Sequence, residues 1–226
     1  MTARAAAGRR AAVSAGQFAA ERFQVETARH HMYVARDDGL YRHLQFRDSR
    51  LCNDAEWRVN TGFYWFDLIT WPGVLTITGD MDTFVFSRVT DMFEFFRACG
   101  HRGGINPGYW SEKLRAPDPR AAKAYDQDRV REYVIADLAA AVQFGGVPRG
   151  TGRAIREQIF DHEDITWEEG AHMLLRDFKH EGFQFHDTWE WDLRGYSQQF
   201  LWCCHAIQWG IRQYDTAHAE ETQVPA

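Results

Sequence analysis

Phe63-Tyr64-Trp65-Phe66-Asp67-Leu68-Ile69-Thr70-Trp71-Pro72-Gly73-Val74-Leu75-Thr76-Ile77-Thr78 is the stretch on which the fold turns. Aromatic and β-branched residues crowd Phe63 to Trp71, the composition of a strand, with Asp67 as its one interruption. Pro72-Gly73 ends the run, and Val74 to Thr78 supplies its returning partner. An L-Pro-Gly pair favours type II geometry, which matches strand twist poorly in a two-residue loop, so a slightly wider connection is expected.

The strand pattern extends to both sides. Met32 to Ala35 and Leu40 to Phe46 flank Asp37-Asp38-Gly39, and Asp-Gly between short alternating runs signals a hairpin because Gly tolerates positive φ. Asp48 to Gly62 reads as a polar loop. Phe84 to Arg88, after Gly79-Asp80-Met81-Asp82, makes a fifth strand. The first half is therefore an antiparallel meander of about five strands, preceded by a helix with Phe18, Ala19, Phe23 and Val25 on a stripe expected to pack on the sheet.

Helical spacing takes over afterwards. Thr90 or Asp91 caps a helix carrying Met92, Phe93 and Phe96 on one side, with Gly100 to end it. Gly103 to Pro119 reads as an ordered loop, since Tyr109 and Trp110 need something to pack on. Val130, Val134, Leu138 and Val142 keep one helical face. Thr166 with Glu169 forms a capping box, after which Trp167, Ala171, Leu174 and Phe178 share a face. Phe200, Cys204, Ile207, Ile211 and Tyr214 repeat along the last helix, with Trp202 and Trp209 on an adjoining stripe, so that helix is expected to be largely buried. The fold class is α+β: residues 1–17 a flexible arm, 18–116 a sheet subdomain, 117–216 a helical subdomain packed on the sheet, and 217–226 a frayed tail.

Composition narrows the function. Nine Trp, 16 Phe and 8 Tyr among 226 residues are enough to build a core of large rings or to leave some exposed as partner anchors. A formal charge of −6, from 32 Asp and Glu against 26 Lys and Arg, argues against affinity gained by neutralising phosphates, so direct nucleic-acid binding is not expected. Arg4, Arg9 and Arg10 alternate with Ala, which suits a frayed arm better than a DNA-reading element. No apolar run approaches a membrane span, and Met1 to Ala20 lacks a continuous apolar stretch, so a cytosolic chain without a signal peptide is expected. Four Cys do not make a disulfide scaffold.

Each chemical motif competes with a plainer role. Cys99-Gly100-His101 and Cys203-Cys204-His205 would suit Zn²⁺ if they converged, but neighbouring residues diverge around a helix, so buried structural cysteines and no metal are expected. Asp161-His162-Glu163-Asp164 suits a helix N-terminus as well as a base or ligand set. Gly150-Thr151-Gly152-Arg153 resembles an anion nest yet lacks the Lys-Ser or Lys-Thr of a P-loop and follows no strand, which leaves a surface linker. Asp80 and Asp82 would make a carboxylate pair with His30-His31 or His43 across the sheet, although turns favour Asp for local bonding. No catalytic residues and no cofactor are assigned. The partner-binding candidates are Trp71 and Pro72 at a strand end, Tyr109 and Trp110 beside Lys113, and Asp80 with Asp82. The competing reading of the rings is that they close the seam between sheet and helices.

Several segments together resemble a known family. Phe66-Asp67-Leu68-Ile69-Thr70-Trp71-Pro72-Gly73, Gly79-Asp80-Met81, Asp91-Met92-Phe93-Glu94-Phe95-Phe96, Ile105-Asn106-Pro107-Gly108-Tyr109-Trp110-Ser111-Glu112-Lys113-Leu114 and Phe200-Leu201-Trp202-Cys203-Cys204-His205-Ala206-Ile207 are similar to proteins of bacteriophages, prophages and other mobile elements. The likeness covers most of the chain and is weak before Phe18 and between Pro117 and Ile159. Gly follows Gly-Asp-Met in that family where Asp82 stands here, so a tight glycine turn is not implied. The resemblance implies a bacterial host cytoplasm and carries no settled activity. It implies an accessory protein that binds a host protein or complex, such as a CRISPR effector or a nuclease. Against a nucleic-acid-binding machine, acidic surface would imitate phosphate. The rival classes are a small hydrolase or nucleotide-modifying enzyme, and a nucleic-acid binder using the N-terminal arm and Arg149 to Arg153.

Overall fold

A computed structural model describes residues 17–50, 62–99 and 104–223. The expected arm, the loop segment 51–61 and Gly100 to Gly103 with His101 lie outside the described residues. The described residues divide into two units, one of 17–122 with 196–223 and the other of 123–195. The last helix, which sequence spacing grouped with the helical half, therefore belongs with the sheet.

In the sheet unit, helix α1 (17–26) leads into β1 (His30–Asp38), β2 (Tyr41–Asp48), β3 (Phe66–Trp71), β4 (Val74–Gly79) and β5 (Thr83–Ser87). Helices α2 (Met92–Cys99) and α3 (Pro107–Ser111) precede β6 (Leu114–Ala116). The α+β reading holds, and the meander has one strand more than expected: β6, from within the Gly- and Pro-containing loop, pairs with β5 to make a six-stranded antiparallel sheet in sequence order. A three-residue strand has too short a period to register in the sequence.

The hairpins form where the turn residues place them. Gly39 takes φ +61° between β1 and β2. Trp71 pairs directly with Val74, so Pro72-Gly73 is a two-residue connection and not the wider one expected. Gly73 adopts φ +84°, and its N–H donates to the Thr90 carbonyl at 2.8 Å, so a tertiary bond offsets the poor match of this turn to strand twist. The β3 strand begins at Phe66 and not at Phe63, because Tyr64 turns the chain at φ +63°, an uncommon conformation for a non-Gly residue. Asp80 supports that turn: its carboxylate accepts from the Tyr64 N–H at 2.9 Å, and its own N–H donates to the Trp65 carbonyl.

Alternation then sorts the sheet into two faces. Leu44, Phe46, Phe66, Leu68, Leu75, Ile77, Phe84 and Phe86 are buried on the inner one. There α7 (Gln198–Gln223) lies with Phe200, Cys204, Ile207, Ile211 and Tyr214 buried as their spacing requires. It is helical through Gln223, beyond Ala217 where fraying was expected. Cys203 and Cys204 are free and buried, and burial pushes both thiols well up, as inert core cysteines. On α1, Ala19 and Phe23 enter the core while Phe18 and Val25 stay exposed, which narrows the expected stripe to two residues. Asp91 caps α2 by accepting from Phe93 N–H at 2.9 Å.

The second unit comprises β7 (Lys123–Tyr125), α4 (Gln127–Phe144), α5 (Thr151–Ile155) continued by a π-helical turn at Arg156–Phe160, α6 (Glu168–Asp177) and β8 (Arg194–Tyr196), which pairs with β7. Val130, Val134, Ile155, Ile159, Leu175, Phe178, Phe185 and Trp191 form its core. Leu138 packs against this core partly buried and Val142 is exposed, so the expected α4 face leaves the core at its C-terminal end. Thr166 donates its hydroxyl to the Glu163 carbonyl, and Trp167 occupies the N-cap position of α6 without a side-chain cap. The capping box is therefore absent, displaced by a 3-10 turn over Glu163–Thr166.

Gly79 shows how closely β4 passes the strained turn: a Cβ there would stand 2.2 Å from the Trp65 carbonyl oxygen and 2.8 Å from Phe66 Cα, both backbone atoms. Gly79→Ala is expected to destabilise the protein by about 2–4 kcal/mol in denaturant unfolding, at the upper end of overpacking costs because backbone must move. A loss below about 0.5 kcal/mol would contradict that packing.

Candidate functional site

The outer face of the six-stranded sheet gathers most of the polar chemistry of its unit. Residues directly opposite across antiparallel strands point the same way. Arg42 pairs with Thr70 on the inner side, so Tyr41 and Trp71, the next residues at the adjoining ends of β2 and β3, fall on the outer side, with the Arg36 guanidinium 5.4 Å above the Tyr41 ring. His43 faces Ile69 and Gln45 faces Asp67. Thr76 and Val85 continue the Ile69 row, and Thr78 and Thr83 continue the Asp67 row with hydroxyls 2.8 Å apart. Tyr41, His43, Ile69 and Trp71 thus make a block of four, with both rings near half exposure at 47% and 41%. The helices α2 and α7 pack on the other face.

On the same face, further along β2 and β3, runs a chain of ionisable groups. His43 Nε2 lies 2.8 Å from Asp67 Oδ2, and Arg47 Nη2 lies 2.6 Å from Asp67 Oδ1. Arg47 is fully buried, donating to the Phe46 and Phe66 carbonyls at 2.9 Å, with its guanidinium over the Trp65 ring. Gln45 adds a longer contact to Asp67. A carboxylate held by a guanidinium accepts hydrogen bonds, so His43 Nε2 is the donor to Asp67. A carboxylate that orients a histidine is half of a general-base arrangement. Sequence reasoning had placed Asp80 or Asp82 opposite His43. The structure gives that place to Asp67, while Asp80 supports the Tyr64 turn and Asp82 accepts from the adjacent Thr83 N–H. Asp67 looked like a break in a strand, and only the β2–β3 register reveals its partners.

A second network ties the inner edge to α7. Arg42 donates in bidentate fashion to Asp91 at 3.0 and 3.1 Å and lies over Phe93. Tyr214 donates its hydroxyl to Asp37, which also meets His218 Nε2 at 2.8 Å. Burial alone would push the Asp91 carboxyl up, but the Arg42 and Phe93 donors outweigh it and hold the group below its usual range. Every charge in this set has a protein partner, as expected of a clamp between helix and hairpin.

The remaining sequence candidates scatter. Trp110 is wholly buried, edge-on to Phe96 at 4.8 Å, and is a core residue and not a surface anchor. Tyr109 packs on Phe95 and carries the Lys113 ammonium 4.4 Å above its ring. The Lys113 carbonyl accepts from Ser87, which pairs with Val74 and so lies two strands from Trp71; Lys113 is thus about 14 Å from Trp71 at ordinary strand spacing. Pro72 is exposed in the turn beside Trp71. Arg153 of the suspected nest pairs with Glu157, and Thr151 donates to the Pro148 carbonyl. His162 accepts from the Asp164 N–H in a local cap. Among the described residues no three His, Cys, Asp or Glu side chains gather as a metal site, and no helix is long and apolar enough to cross a membrane. Comparison with known proteins found no matching family, no matching curated protein and no matching solved structure.

Asp67→Asn removes the counter-charge of a buried guanidinium. It is expected to cost about 3–5 kcal/mol of unfolding free energy, read in a urea titration; a near-neutral effect would mean that the pair is hydrated. His30 gives a pH test. It is buried against Phe66 with Nε2 on the Tyr64 carbonyl, and desolvation lowers its pKa below the ordinary 6.5. The unfolded chain therefore binds this proton more readily than the folded one. The stabilisation is complete above pH 6.5 and is lost as pH falls below it, at up to about 1.4 kcal/mol per pH unit. Melting temperatures from pH 7.5 down to 5 should fall more steeply for the parent than for His30→Gln, and parallel curves would refute this assignment.

Proposed function

We propose that the protein acts by protein–protein interaction, as an accessory protein of a phage or mobile element that engages a host bacterial protein or complex and inhibits a defence machine such as a CRISPR effector or nuclease. The observation that supports this reading is that Tyr41 and Trp71, at the adjoining ends of β2 and β3 on the face opposite α2 and α7, are both about half exposed. Exposed Trp and Tyr rings with aliphatic neighbours are the material of interface anchors, because they bring large contact area at little rotamer cost. The genomic part of the proposal rests on the sequence resemblance alone.

A second reading, a small hydrolase or nucleotide-modifying enzyme, draws on one observation: partly exposed His43 is held through Nε2 by buried Asp67. The two readings part at His43. Binding through the face depends on the rings and tolerates His43→Gln, whereas general-base chemistry does not.

Affinity purification of the tagged chain from bacterial lysate, beside a Tyr41→Ala, Trp71→Ala variant, tests the proposal. A host protein recovered in stoichiometric amount with the parent and depleted about tenfold or more with the variant supports it. Recovery of the bait alone across several hosts, or equal recovery with both baits, overturns it.

A further inference from the structure

The net charge of the chain is unevenly placed. Between Asp161 and Asp192 there are ten Asp and Glu but only two Lys and Arg, a local charge of −8, so the rest of the chain carries +2 against the overall −6. All of the negative excess sits in one stretch of the helical unit. Four of its carboxylates are neutralised: Glu168 by Arg194, Asp192 by Lys123, Asp161 by Arg156 and Asp177 by Arg176. Glu163, Glu169, Glu181, Asp187 and Glu190 are exposed, with no ion-pair partner among the described residues.

Exposed acids alone are ordinary solvated surface. Here the same stretch also exposes large apolar side chains. A Cβ on Gly170 would stand 2.7 Å from Trp167 Cε2 and 2.8 Å from Nε1, so the Trp167 indole lies against the first turn of α6 at Gly170. Met173 follows one turn on along the same side, 50% exposed. Trp189, 75% exposed, stands on the Thr188–Glu190 turn that packs against α6. Two residues later Trp191 is buried on Tyr133 and Phe185, so this segment sends one indole into the core and holds the other in water.

We propose that Trp167, Met173 and Trp189 form a docking surface for a basic segment of a partner protein, one that carries Arg or Lys alternating with apolar side chains. The apolar groups of such a segment cover Met173 and the rings. Its guanidinium or ammonium groups lie over indole faces, which attract cations, and reach Glu169 and Glu190, which flank the rings in sequence. The same field repels nucleic acid and anionic lipid. This surface belongs to the helical unit and does not rest on the sheet-face reading.

The test uses the full chain and a fluorescein-labelled Arg/Leu peptide followed by anisotropy, with a Glu/Leu peptide, a single-stranded oligonucleotide and phosphatidylserine vesicles alongside. The Arg/Leu peptide is expected to bind, and to bind more weakly as salt rises. Trp189→Ala and Trp167→Ala should each weaken it about tenfold, with Trp189→Phe restoring most of the loss. Trp71→Ala should leave it unchanged, which separates this surface from the sheet face. Because Trp167 covers Gly170, circular dichroism checks that variant; Trp189, mostly in water, carries the test if it misfolds. Undiminished binding by Trp189→Ala would reduce the effect to bulk charge and overturn the proposal, as would no binding at low salt, or stronger binding of the oligonucleotide or vesicles.

Discussion

At Gly210 the helix α7 comes so near the sheet that an added Cβ would stand 2.7 Å from Leu68 Cδ1 and 2.9 Å from Phe46 Cζ. That approach sets the depth at which the rest of the helix meets the strands. It lets Trp202 stand edge-on to Phe66 at 5.6 Å, brings Trp209 to 5.4 Å from Phe46, and seats Phe200 against Phe84. Rings meeting edge to face gain beyond their buried area, by about 0.5–1.5 kcal/mol a pair. The Trp202 indole N–H is not left stranded, since it donates to Glu26 of α1 at 2.8 Å. One glycine thus allows an aromatic core in which the sheet and helices α1 and α7 share the same rings.

An inner face committed to rings leaves the opposite side of every strand for polar groups, since side chains alternate. This accounts for Arg47, Asp67, Gln45 and His43 standing together: each is one residue from a core position on β2 or β3. Their burial is the less usual fact. A buried ion pair seldom adds stability over apolar residues of the same size, so its presence calls for another role, and orienting His43 is the one the geometry shows. The Asp37, Arg42, Asp91 and Tyr214 group differs because each member bridges two elements. It fixes where the β1–β2 hairpin meets the end of α7.

The parts of the fold legible in the sequence were those written in local period or turn chemistry. Asp38-Gly39 marked a hairpin because the second residue must take positive φ, and the Phe200 to Tyr214 spacing marked the buried side of α7. What was illegible depended on partners distant in the chain. Thr90 decided the width of the Pro72-Gly73 turn. The fit of Trp110 against Phe96 decided that an indole beside Lys113 is core. Asp80 was a partner-binding candidate because its service to Tyr64 runs between residues sixteen apart, and Asp67 looked incidental because strand register is set by the whole inner face. Trp71 was singled out correctly as a ring at an exposed strand end, but Tyr41, at the adjoining end of β2, carried no signal of its own.

The same limit applies to charge. A total of −6 is a mild excess and by itself weakens any argument for acidic recognition. Screening at physiological ionic strength confines the influence of a charge to about 8 Å, so an approaching partner responds to the few carboxylates beside the contact and not to the sum over the chain. Whether an acid counts there depends on its neighbours: Glu168, gripped by Arg194 through both oxygens, adds little field, whereas Glu169, next in sequence, is exposed and makes no such ion pair. That arginine comes from β8, twenty-six residues away. The sequence therefore shows where acids are dense, and the folded chain decides which of them remain to be answered by something else.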